Sequence, residues 1–77
     1  MYRYQMTTEK LSSAELGEYF TFSISAYKQA SNDWSQVAFL PDVSLSFDVT
    51  QRIVRLLNAG QIDPPYLLSF VSTFLDS

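Results

Sequence analysis

The side chains with which this 77-residue chain can do chemistry are eight carboxylates, five Lys and Arg, and five tyrosines; there is no His and no Cys. Glu15 and Glu18 flank Gly17, and Asp33 sits beside Trp34. Two carboxylates act as acid and base only in a cleft that separates their pKa values. A chain this short has little volume for one, so these acids are expected to be solvated loop residues. Without His there is no Ser-His-Asp arrangement, and the usual ligand of transition metals is missing. Without Cys there is no thiolate nucleophile, zinc ribbon or disulfide. The expectation is a protein with no catalytic residues, no metal site and no cofactor.

The basic residues are too few for a broad phosphate-binding face, and the net charge is −3. Arg52 and Arg55 can touch an anion or an acidic partner, but a solvated helix face is the plainer reading. The aromatic residues are more informative, at 16% of the chain. Each can bury about 150–250 Å². With 47% hydrophobic residues, two Gly and three Pro, the composition is that of an ordered single domain over residues 1–77.

These side chains need elements to position them. Tyr2, Tyr4 and Met6 alternate with Arg3, Gln5 and Thr7, which predicts a strand over Tyr2–Lys10. Ser12, Ser13 and Gly17 mark a turn. Glu18–Lys28 reads as a second strand, with Phe20, Phe22, Ile24 and Ala26 on one face. Tyr19, Thr21, Ser23, Ser25 and Tyr27 fall on the other. Ser31-Asn32-Asp33 predicts a loop over Gln29–Gln36. Val37–Leu40 reads as a short third strand stopped by Pro41.

The period then changes to that of a helix. Ser44 or Ser46 is the N-cap, and Val49, Ile53, Leu56 and Leu57 form the apolar stripe. Asp48, Gln51, Arg52 and Arg55 form the opposite face, and Gly60 is the expected C-cap. A second helix starts at the Asp63 cap with Pro64 at N1, and Ile62 and Leu67 have the spacing of a hydrophobic staple. Its stripe is Leu67, Phe70, Val71, Phe74 and Leu75. The fold class is therefore α+β: a three-stranded antiparallel meander followed by a two-helix hairpin packed on one sheet face.

The second half resembles a family of small bacterial proteins of uncharacterised function. The resemblance lies in Val43-Ser44, Leu56-Leu57-Asn58, Ile62-Asp63-Pro64 with Leu67, Val71, and Phe74-Leu75. Tyr2-Arg3-Tyr4 and Phe22-Ser23-Ile24 resemble the family's strand signatures, although Gly is usual where this chain has Ser23. The resemblance implies caps and core positions and supplies no catalytic or binding residue. Family members tend to carry acids on the outer face of the last helix, where this chain has Ser69, Ser72 and Thr73.

Two surfaces stand out as candidate interfaces. One is a tyrosine platform of Tyr19, Thr21 and Tyr27 on the sheet, joined by Tyr2 and Tyr4 if the register allows. Such a platform can stack bases or receive a protein, although strand tyrosines also simply fit a pleated, half-buried surface. The other is the uncharged face of the second helix, where Ser69, Ser72 and Thr73 let another helix approach and Tyr66 and Leu68 widen the apolar stripe. The open sheet edges can also pair, with the Pro41-bearing strand the poorer edge and Lys10 guarding the other.

The leading expectation is a non-catalytic protein-interaction module that forms a homodimer. The alternatives are an acidic regulator or inhibitor of a larger protein, and a single-stranded nucleic-acid binder using the tyrosines. The start, Met1–Gln5, has no apolar leader core, and Tyr66–Leu75 is far short of the ~20 residues that span a bilayer. A cytoplasmic protein without membrane contact is expected.

Overall fold

The computed structural model describes residues 1–76. Three strands form one antiparallel sheet in the order β1 (Tyr2–Ser13), β2 (Gly17–Ala30), β3 (Asp33–Ser44). They are followed by α1 (Phe47–Gly60), a 3₁₀ turn (Pro64–Tyr66) and α2 (Leu67–Leu75). Both helices pack on one face of the sheet; α1 touches all three strands and α2 lies mainly against β3. The meander and the two helices are those the sequence predicts.

The hairpins are tighter and the strands longer than alternation suggests. The first turn is closed by the Ser13 hydroxyl, which accepts from the Leu16 N–H at 2.9 Å. Gly17 follows at φ 68°, a left-handed position that a Cβ would strain. The predicted loop over Gln29–Gln36 contracts to a turn at Ser31-Asn32, with Ser31 at φ 58°. Residues rich in Ser, Asn and Asp set the turn, but pairing with β2 carries the strand conformation back to Asp33. At the other end β3 runs through Pro41 to Ser44. Pro41 sits where the register slips between the Ile24↔Leu40 and Phe22↔Ser44 pairs. At an irregularity on an edge strand, its missing N–H removes no ladder bond.

Ser46 is the cap of α1: its hydroxyl accepts from the Val49 N–H at 3.2 Å. The left-handed residue at the helix end is Gln61 (φ 48°, ψ 46°), one beyond the expected Gly60. The Ile62 N–H then donates to the Leu57 carbonyl and the Gln61 N–H to the Asn58 carbonyl, a Schellman ending. Asp63 does not cap through its side chain. The Tyr66 N–H donates to its backbone carbonyl at 2.9 Å instead, so Pro64 opens a 3₁₀ turn and α2 begins only at Leu67.

The core joins Tyr4, Ile24, Ala26, Ile53, Leu57, Leu67 and Val71. Three residues expected in apolar stripes lie largely outside it: Phe20 is 63% exposed, Leu56 45% and Leu75 44%. For Phe20 the reason is reach. The start of α1 meets the sheet at Phe22, whose ring packs edge-on against Phe47 at 5.8 Å, and the β1–β2 hairpin continues past it. The ion pair found among the described residues is Lys10–Glu18 at 2.9 Å, on the exposed hairpin; Asp48 and Arg52 do not pair.

Candidate interaction surface

The strand register decides which tyrosines share a face. Tyr4 stands opposite Ala26 and Tyr2 opposite Lys28, so both belong to the helix-covered side. Tyr4 is a core residue, 2% exposed. Its hydroxyl donates to the Ile62 carbonyl at 2.5 Å. Burial pushes its phenol up to about 12, with the Asp63 charge and then Tyr2 adding to the effect. Tyr2 borders a hollow beside Lys28, Pro64 and Pro65. Neither joins Tyr19 and Tyr27.

Thr21 also fails as a surface residue. It is on the helix-free face, as alternation requires, yet it is fully buried, as are Ser23 and, nearly so, Ser25. The neighbouring strands close over these short side chains. The Thr21 hydroxyl donates to the Asp42 carboxylate at 2.7 Å and lies 3.1 Å from the Ser44 carbonyl. The Ser23 hydroxyl donates to the Glu9 carboxylate and accepts from the Asp42 N–H at 3.3 Å. Asp42 reaches this face because the β3 irregularity holds it at φ 50°. Every buried side-chain polar atom among the described residues has a partner.

The platform is thus reduced to Tyr19 and Tyr27, both half-buried. Eight residues separate them, about 26 Å along a strand. Tyr27 shares a shallow hollow with Arg3, Gln5 and Trp34, and the Arg3 guanidinium lies over the Trp34 ring at 4.5 Å from its centroid. A base entering there would have to displace that cation–π contact. Glu15, Glu18 and Asp33 are exposed, as are Arg52 and Arg55. No group of three metal-ligating side chains occurs among the described residues.

The second surface is gathered as the sequence suggests. Tyr66, Leu68, Ser69, Ser72 and Thr73 are all exposed. α2 has no charged residue, and it fully buries only Leu67 and Val71. Leu68 and Tyr66 are each 63% exposed. Leu68 and Leu75, seven residues apart, form an apolar ridge with Ser72 between them. Ser69 and Thr73, four apart, face a groove of about 650 Å³ that Ile62, Tyr66, Phe70 and Phe74 also line. Gly60, Gln61 and Asp63 complete its rim.

The Arg3–Trp34 contact, the Glu9 and Asp42 carboxylates on buried hydroxyls, and the Asn58 and Gln61 amides at the β1 edge have no short-range signature. Each joins residues far apart in the chain. Comparison with protein-family models, curated proteins and solved structures finds no match to this chain. No helix among the described residues is long and apolar enough to cross a membrane.

Proposed function

We propose that this protein is a non-catalytic interaction module that self-associates through α2. The observation that carries the reading is a helix without charge that leaves Leu68 and Leu75 in solvent, with Tyr66 of the preceding turn exposed beside them. Burying a leucine side chain stabilises an assembly by roughly 1.5–3 kcal/mol before the costs of association. A surface helix with no partner would ordinarily carry charged residues opposite its buried stripe.

A second copy is the favoured occupant because the surface is self-complementary. The Leu68–Leu75 ridge and the Ser69–Thr73 groove lie side by side on one helix. In a two-fold arrangement the ridge of each copy enters the groove of the other. No charge on α2 selects a charged partner. The proposed membership in the family of small bacterial proteins adds no function to this reading.

Sedimentation or light scattering across the micromolar range tests it. The wild-type chain is expected to associate. Leu68→Glu, which puts a carboxylate on the ridge at a position already exposed, is expected to abolish association through α2 without loss of helix content. A wild-type chain that stays monomeric at high micromolar concentration overturns the reading.

A further inference from the structure

The two edges of the sheet present different backbones. The β3 ladder slips between the partners of Ala26 and Tyr27 and again between those of Phe22 and Ile24, and it carries Pro41 and the left-handed Asp42. A strand laid along it would lose register at both places. β1 pairs with β2 from Tyr2 to Ser13 without a shift. On such a strand every second residue turns its N–H and C=O away from the sheet.

Two sets of bonds show which residues these are. The Gln29 N–H donates to the Met1 carbonyl, so odd positions of β1 bond inward. Tyr2 and Tyr4 bond outward, to side chains at the end of α1. The Tyr4 N–H donates to Asn58 Oδ1 at 2.7 Å, and Asn58 Nδ2 donates to the Tyr4 carbonyl at 3.1 Å. Gln61 does the same for Tyr2, accepting from its N–H at 2.9 Å and donating to its carbonyl at 3.0 Å. The two amides stand where the peptides of a neighbouring strand would stand. Met6, Thr8, Lys10 and Ser12 continue the outward series, and no hydrogen bond within the chain reaches their outward backbone groups among the described residues.

We propose that the open stretch Met6–Lys10 of β1 pairs antiparallel with the same stretch of a second copy, about a two-fold axis through Thr8. Charge selects this register. With Thr8 on the axis, Glu9 faces Thr7 of the second copy and Lys10 faces Met6. Moving the axis to Glu9 or Lys10 places like charges opposite each other, which is unfavourable. Moving it towards the start of β1 runs into Tyr4, whose backbone is already bonded to Asn58. With Thr8 on the axis, Met6, Thr8 and Lys10 all find partners; the second copy's Ser12 would fall opposite Tyr4, where Asn58 stands, so the pairing ends at Lys10 and the second copy's chain turns away from the edge there. α2 lies over β3, at the far side of the sheet, and stays free. Two independent two-fold patches on one chain build assemblies larger than a dimer.

The absence of native cysteine makes the test clean. Two residues paired on the axis have Cα atoms about 5.5 Å apart, inside the range a disulfide spans. Thr8→Cys is expected to run at doubled mass on a non-reducing gel after mild oxidation. Thr7→Cys, equally exposed but on the other face and off the axis, is expected to run at single mass. Both are checked for native circular dichroism. A folded Thr8→Cys chain that stays unlinked overturns the proposal, and so does equal linking of the two variants, which would be collision. Repeating the experiment with Leu68→Glu separates this edge from α2. Linking at Thr8 that persists supports an edge that pairs independently, whatever the fate of α2. Linking that disappears with Leu68 overturns it.

Discussion

β2 buries both of its faces, but by different means. On one side Ile24 and Ala26 are covered by a second layer, with Ile53 and Leu57 of α1 above them. On the other side no helix covers the sheet among the described residues, and Thr21, Ser23 and Ser25 are buried all the same. Their side chains are short, and longer neighbours on β1 and β3 close over them. The first face is held by apolar area and shape, which are non-directional. The second is held by a few directed bonds, from Thr21 to Asp42 and from Ser23 to Glu9. A buried hydroxyl with a carboxylate acceptor adds stability only while both partners are in place.

The largest separation between the faces is expected from truncation. Leu57→Ala should destabilise the fold by about 2–5 kcal/mol, since it removes buried volume that the sheet cannot refill. Ser25→Ala, on the opposite face, should be nearly neutral. Urea unfolding followed by circular dichroism measures both, and equal losses would mean that the two faces are not held differently. Next is Asn58→Ala, which leaves the Tyr4 N–H and carbonyl without their amide and should cost about 1–3 kcal/mol. Thr21→Val keeps the shape and removes the hydroxyl that reaches Asp42. Its cost should be about 1 kcal/mol, and a loss as large as that of Leu57→Ala would make the polar face an equal contributor. Arg3→Gln removes the cation over Trp34 and should cost about 0.5–1 kcal/mol, with a change in Trp34 fluorescence as an independent readout.

pH distinguishes the faces further. The Tyr4 phenol is raised from 10.0 to about 12 in the fold. The fold therefore prefers the neutral form, and its contribution is intact below pH 10. Between pH 10 and 12 the unfolded chain ionises first, so stability should fall as pH rises. Tyr4→Phe should flatten that part of the stability profile, whereas Ser23→Ala should leave it unchanged.

Much of the fold was readable because its signals are local. Alternation from Tyr2 to Met6 and from Phe20 to Ala26 marks two strands, the Ser46 cap marks α1, and Pro64 marks the 3₁₀ turn that leads into α2. What alternation does not convey has one physical cause. Period two puts Thr21 on the helix-free face and says nothing about what its neighbours cover. The face of Tyr4 depends on pairing with Ala26, a relation between strands. The stripe that contains Phe20 does not say how far along the hairpin α1 reaches. The α2 surface was legible because it depends on composition and helical spacing alone: a helix without Asp, Glu, Lys or Arg must expose uncharged residues wherever it is not buried.

Residue order alone is enough for the element types, their succession, the lack of any His or Cys chemistry, and the uncharged character of α2. These follow from backbone preference and residue identity, which act over a few positions. Which tyrosines share a face, which hydroxyls are buried, and where the β1 edge is closed by Asn58 and Gln61 and where it is open emerge with the folded chain. Those outcomes depend on strand register and on contacts between residues more than fifty positions apart, such as Tyr4 and Asn58. No local preference encodes that pairing; it is set by the packing of α1 across the sheet.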